Sequence, residues 1–213
     1  RVVVPYLRML GISRVDMLMV THRDSDHSGG TASVQSALVV GELRSSVKEL
    51  GGERCIAGQR WVWDGVIFEV LHPAAEAYAV NLKSNHISCV LRVTAGGKRM
   101  LLTADIEAPD EADLLARYPN DLAADVLLVP HHGSKTSSTA AFLTAVAAPA
   151  AIIPVGYRSR FGHPKAEVVA RYEALATSLW RTDRDGAVEV RLAASGIKLS
   201  AWRQAHRHYW FGR

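Results

Sequence analysis

Between Thr21 and Gly30 the chain reads Thr-His-Arg-Asp-Ser-Asp-His-Ser-Gly-Gly, so His22, Asp24, Asp26 and His27 offer two imidazoles and two carboxylates within six residues. These side chains are ligands for divalent metal ions. Their steps of two, two and one would scatter over the faces of a helix, whereas a tight loop leaving a strand can converge them. A helix after that loop would present unpaired N–H groups and a positive dipole end to an anion. Gly29 and Gly30 would allow close backbone approach. The plainer alternative is a polar loop in which Asp26 or Ser28 merely caps the helix. The theme recurs, however. Asp105 ends the apolar run Met100-Leu-Leu-Thr-Ala-Asp105, and His131-His132-Gly133-Ser134 follows Leu127-Leu-Val-Pro130. Asp105 alone would read as a helix cap, and either histidine alone as a structural one. Three such clusters at strand ends, where open α/β sheets place their sites, point to one shared site able to hold metal ions.

The elements that must position these residues alternate between β-rich runs and helix-like stretches, which predicts a layered α/β fold with two sheets and helices outside. Strands are expected at Val15–Thr21, Arg60–Trp63, Val66–His72, Ile87–Thr94, Arg99–Thr103, Val126–Pro130 and Ala150–Val155, with two or three more near the end. Asp64-Gly65 and Ala95-Gly-Gly-Lys98 are hairpin turns. Helices are expected from about Ser28 to Leu38, from Pro109 to Tyr118, up to Val146 with Ser137 or Ser138 as cap, and from Pro164 to Thr177.

The 213 residues, 48% hydrophobic and 22% charged, suit a globular domain and exclude a disordered chain or a disulfide mini-scaffold. Cys55 and Cys89 lack metal-ligand spacing and leave the redox compartment open. The longest apolar stretch, Ala140 to Gly156, contains Pro149 and Pro154 and reads as helix then strand rather than a membrane span. Arg1 opens directly into Val2-Val-Val-Pro5 without a signal peptide, so the segment reads as cut from a longer chain, with any membrane attachment outside it. The net charge of +4 belongs to the last two dozen residues, where Arg191, Lys198, Arg203, Arg207 and Arg213 meet no acidic residue. Trp202-Arg203-Gln-Ala-His206-Arg207-His208-Tyr209-Trp210 interleaves rings with cations there, as a single-stranded DNA track or a packed edge strand would.

His22-x-Asp24-x-Asp26-His27, Leu-Leu-Thr-Ala-Asp105 and His131-His132-Gly-Ser-Lys-Thr-Ser together resemble the metallo-β-lactamase fold superfamily. More narrowly, they resemble the C-terminal domain of the ComEC family, membrane channel proteins of bacterial DNA uptake. Gly162-His163-Pro164 and Trp180-Arg-Thr-Asp183-x-Asp-Gly186 extend the match over roughly Val2 to Leu192. The resemblance implies an αββα sandwich, a single domain over 1–213 without the fold's first N-terminal strands. In full length it implies attachment to a channel in the inner (cytoplasmic) membrane, with this domain on the periplasmic or extracellular side. Asp24 stands where most of the superfamily has His, as in ComEC domains, and Ala104 where Gly usually precedes the aspartate. The further histidine expected before the Asp105 strand has no clear counterpart; Asn81, Asn85 and His86 occupy the region, and His86 is left between a surface residue and a metal contact.

Counting ligands on this basis gives two divalent ions, with His22, Asp24 and Asp105 on one, Asp26, His27, Asp105 and His131 on the other, and Asp105 bridging. Two such ions about 3.5–4 Å apart stabilise attacking and leaving oxygens in phosphodiester cleavage. The oxygen-rich, cysteine-free set favours manganese over zinc. Asp26 is expected to orient the attacking water. His132, Ser134, Lys135 and Thr136 are expected to grip phosphate, with Lys135 the catalytic cation. His163 would bind phosphate or protonate the leaving group. Lys135 is equally a solvated loop lysine and His163 a helix-cap residue. The expected function is a nuclease, with no small organic cofactor, degrading the DNA strand not taken up. The alternatives are hydrolysis of a small ester, lactone or phosphodiester, or a catalytically idle DNA-guiding module.

Overall fold

A computed structural model describes residues 2–206. It opens with helix α1 (Val3–Met9) and strand β1 (Arg14–Val20), whose apolar residues carry the chain inward to Thr21. A one-turn helix α2 (Ser25–Ser28) and helix α3 (Thr31–Ala37) lead to β2 (Val39–Ser45), which pairs in parallel with β1. The single helix expected from Ser28 to Leu38 is therefore two, and the metal-ligand motif itself coils into the first. Gly29 is required at the break, because a Cβ there would lie 2.4 Å from the Ser25 carbonyl oxygen. Strand β2 was not anticipated.

Next come β3 (Arg60–Trp63) and β4 (Val66–His72), joined by Asp64-Gly65, both at positive φ. That is the backbone an Asp-Gly hairpin demands. β5 (Val90–Ala95) and β6 (Lys98–Leu102) turn through Gly96-Gly97, again both left-handed. Then α4 (Ala108–Arg117), β7 (Val126–Leu128), α5 (Ala140–Val146), β8 (Ala150–Ile153), α6 (Ala166–Ala174) and β9 (Ser178–Arg181) follow in turn. The chain continues through α7 (Thr182–Asp185) and a closing hairpin of β10 (Val188–Ala193) and β11 (Gly196–Ala201) to α8 (Trp202–Ala205).

Strands β3 to β9 form one sheet in sequence order, antiparallel as far as β6 and parallel from β6 to β9. The β1–β2 pair and the β10–β11 hairpin are separate two-stranded pieces. The core, including Leu101, Leu114, Leu127, Phe142, Ile153 and Tyr172, lies between the large sheet and helices α4, α5 and α6. At about 25 cal/mol per Å² of apolar surface buried, this interface holds the strand ends in place. One capping expectation is corrected, and one capping alternative falls away. Thr139 caps α5, accepting from the Phe142 N–H, because Ser138 sits at φ +57 and sends its own N–H to Glu111. Glu107, not Asp105, stands at the start of α4, where the Asp110 carboxylate accepts its N–H.

Cys55 and Cys89 form a disulfide, a pairing the sequence left open. It ties the segment after β2 to the start of β5, closing a loop of sequence separation 34. In the chain-entropy account a loop of that size stabilises the fold by about 2–4 kcal/mol. Cys55→Ser should therefore lower stability by that amount in denaturant melts, and reductant should do the same to the parent protein but not to the variant.

Candidate metal centre

Parallel strands deliver the site. The C-terminal end of β1 gives His22, that of β6 gives Asp105, that of β7 gives His131 and His132, and that of β8 leads to His163. The ends are laced together: the His131 N–H donates to the Ala104 carbonyl and the Cys89 N–H to that of Thr21. Ala104, His131 and His132 all adopt left-handed backbone at φ +48, +48 and +55. Such conformations cost about a kcal/mol or more each outside glycine and concentrate at functional sites. Gly133 must be glycine, since a Cβ would lie 2.6 Å from Pro164.

Asp105 is the hub, only 3% exposed. Its Oδ1 lies 3.2 Å from His27 Nε2, and its Oδ2 lies 3.4 Å from His132, 3.7 Å from His22 and 3.9 Å from His131. Asp26 Oδ2 is 3.3 Å from His132 Nε2, and the Nε2 atoms of His27 and His132 are 3.2 Å apart. Asp26, His27, Asp105 and His132 thus bring one ligand atom each within 4.8 Å of one another. Asp24 stands 3.9 Å from His22 and lines the same cleft.

The pair His131-His132 exchanges the expected roles. His132 donates from Nδ1 to the Pro154 carbonyl at 2.6 Å, which leaves Nε2 for the centre beside Asp26 and Asp105. His131 turns Nδ1 toward Glu107 at 3.3 Å and Thr136 at 3.2 Å, and its Nε2 stays at the rim. The adjacent left-handed backbone of the two residues swings their rings apart, which spacing alone cannot reveal. Ser134 and Thr136, expected to face substrate, instead bond each other, and Thr136 donates to Glu107. They brace His131. Lys135 is exposed and does not line the cleft over the centre. That cleft, about 530 Å³, is lined by Asp24, Asp26, His131, Arg160, Phe161 and His163, among others. His86 lies away from the centre, bonded to Asp110 at 2.9 Å. The sequence reading missed Glu107 and Arg160-Phe161; the latter interrupts the run before Gly162-His163-Pro164 with a ring and a cation, and that was its signal.

The electrostatics match a cation site. Burial drives the His22 pKa down to about 4, with His27 adding to the effect, so this imidazole is neutral and able to ligate. Its Nε2 is buried without any hydrogen-bond partner, an orphan that a cation would satisfy. Burial would raise the Asp105 carboxyl, but hydrogen bonds from His132 and His27 outweigh it and hold the group well below the usual carboxylate range. The Asp105 hydrogen bond raises His132 to about 9 against its burial. In effect a proton on His132 occupies a place where positive charge is wanted. Both cysteines are consumed in the disulfide, so the donors are nitrogen and oxygen only.

At the C-terminal end, Arg203 donates to the carbonyls of Asp183 and Arg184, and Trp202 stacks on His206 at 3.8 Å. These bonds tie Arg203 to the turn after β9; Arg207, His208, Tyr209 and Trp210 of the expected DNA track lie outside the described residues. Among the described residues no helix is long and apolar enough to cross a membrane.

Comparison with known proteins fits this geometry. Residues 5–157 match the family model described as the metallo-beta-lactamase superfamily. Competence protein ComA of Neisseria gonorrhoeae is 39% identical over 98% of this chain, which covers 30% of that protein. Recombination protein 2 of Haemophilus influenzae is 32% identical over 99% of this chain and 26% of its own length. The chain thus spans less than a third of these relatives. Among solved structures, a putative metal-dependent hydrolase from Parabacteroides distasonis superimposes with a TM-score of 0.52 at 16% identity, over 81% of this chain and 78% of that one, which bears on the fold alone. The mixed sheet, the histidine–aspartate centre at its strand ends and the match over most of the length agree: the chain belongs to the metallo-β-lactamase superfamily.

Proposed function

We propose that this domain is a metal-dependent nuclease, cleaving phosphodiester bonds in DNA during uptake and preferring the single strand. The observation that carries the reading is the centre itself: Asp26, His27, Asp105 and His132 around one point, with the orphaned His22 Nε2 beside them, at the floor of a cleft bearing Arg160. Two divalent ions held by these residues, by Asp24 and at the rim by His131 would supply Lewis-acid stabilisation of the phosphoryl oxygens and a more acidic water. Oxygen donors and the lack of thiolate favour manganese over zinc. The chain's own groups do the rest. Asp26, exposed toward the cleft, accepts a proton from the attacking water and orients it. Burial lowers the His163 pKa, so its neutral ring hydrogen-bonds a phosphoryl oxygen or the leaving group. Arg160 supplies the positive charge on the cleft wall that was expected of Lys135. Glu107 holds the His131 ring by its Nδ1.

The names of the relatives support DNA as substrate, and Arg160 on the cleft wall, with the cations that the three carboxylates would hold, suits a phosphodiester better than a neutral lactone. The disulfide fits an oxidising compartment, in keeping with a periplasmic placement and a membrane channel in the rest of a longer chain. The test is incubation of end-labelled single- and double-stranded DNA with the metal-stripped domain plus Mn²⁺, Zn²⁺ or EDTA. Cleavage is expected with Mn²⁺, less with Zn²⁺ and none with EDTA. Hydrolysis of small esters without DNA cleavage under all conditions would overturn the reading in favour of the small-substrate alternative.

A further inference from the structure

We propose that the loop from Tyr157 to His163 is a stacking platform for unpaired nucleobases, by which the domain selects single-stranded over duplex DNA beside its centre. The inference rests on the nuclease reading above. Its starting point is a surface that the fold does not explain. Tyr157 is 70% exposed and Phe161 59%, two large rings left in water within five residues. Each carries its own guanidinium: Arg158 lies 5.3 Å from the Tyr157 ring centre and Arg160 lies 4.7 Å from that of Phe161. Ring and cation together recognise a flat aromatic group joined to an anion, which describes a nucleotide.

The loop is placed for that purpose. Phe161 and Arg160 line the same cleft as Asp26 and His132. The Phe161 ring runs nearly parallel to that of His163, at 23° and 6.0 Å between centres, so the stack points inward to the metal-ligating groups. It is also well mounted. The Ser159 N–H donates to the Gly156 carbonyl and the Gly162 N–H to that of Ser159. Lys165 Nζ donates to the Phe161 carbonyl at 2.8 Å, and the Lys165 N–H to that of Gly133, directly after the histidine pair. In a duplex both faces of each base are already stacked, so the platform is useful only to a strand whose bases are free.

The test measures affinity of the Mn²⁺-loaded domain for a phosphorothioate single-stranded oligonucleotide, the matching duplex, and the same single strand carrying abasic positions. Phe161→Leu should weaken single-strand binding about 5- to 150-fold, the range of one lost base stack, while duplex binding changes little. Phe161→Trp should retain the affinity. The abasic strand should bind the parent protein as weakly as the intact strand binds Phe161→Leu, and the two losses should not add, because they remove one interaction. Equal loss on the intact and abasic strands would overturn the proposal and leave the ring as a packing element or a docking point for another protein segment. The nuclease reading has its own separate signature of failure: a parent protein that neither binds nor cleaves any of the three DNAs while still hydrolysing bis(p-nitrophenyl) phosphate.

Discussion

Asp105→Asn is expected to abolish uptake of both divalent ions and to reduce DNA cleavage on the order of 10³-fold or more, the scale at which several kcal/mol of metal-borne charge stabilisation disappears. The reason is the crowding around one carboxylate. His22, His27, His131 and His132 all bring Nε2 within 3.2 to 3.9 Å of its two oxygens. No other carboxylate in the cleft has this position. Asparagine keeps the shape and can still accept a hydrogen bond, but it removes the negative charge around which the imidazoles gather. The metal-free protein should lose stability as well, since the His132 imidazolium would be left beside a neutral amide in a buried place. Elemental analysis of the purified variant, beside end-labelled DNA cleavage and melting in EDTA, reads all three effects. Two bound ions and parental cleavage in Asp105→Asn would show that the centre lies elsewhere.

That Asp105 ends a strand was legible in the sequence, because an apolar run ending in a carboxylate places it there whatever the packing, whereas its central place among the ligands came from the family resemblance alone. His22, Asp24, Asp26 and His27 were legible as a cluster, but Asp26 and His27 reach the centre from the one-turn helix α2 and not from the tight loop expected. The paired strands around Asp64-Gly65 were legible to the residue, since turn chemistry fixes that hairpin locally. Where the reading departed, the cause was non-local. Which of His131 and His132 faces Asp26 depends on left-handed backbone at both residues and on a carbonyl delivered by β8, at Pro154. The cap of α5 depends on Glu111 drawing the Ser138 N–H away, 27 residues distant. The bond between Cys55 and Cys89 depends on β5 lying against the segment after β2. Ala104 is instructive in another way. Its replacement of the usual glycine changed no ligand, yet the structure keeps it at φ +48, so the site bears a strain that Ala104→Gly should relieve.

Between pH 6.5 and 9, the metal-free form is expected to lose stability while the cation-loaded form stays level, and His132 is the residue responsible. In the metal-free protein its pKa is raised to about 9, first by the hydrogen bond to Asp105, with burial opposing. A histidine raised above its unfolded value of about 6.5 contributes stability that is complete below that pH and is lost as pH climbs through the folded value. Melting temperature in EDTA should therefore fall from pH 6.5 toward 9. Cation binding has the reverse sign, because the ion needs the neutral imidazole and displaces the proton. At pH 7, about two units below the folded pKa, this one group discounts cation affinity roughly 100-fold, and the discount shrinks about tenfold per pH unit on the way up. The stabilisation given by saturating Mn²⁺ should widen accordingly, and calorimetry in buffers of different ionisation enthalpy should register close to one proton released per chain at neutral pH. His132→Gln removes the titrating group, so both slopes should flatten and cation affinity should fall. His131→Gln, at the rim with Nδ1 toward Glu107, should leave both slopes in place. Equal flattening in the two variants would mean that His131 and His132 share the inner position.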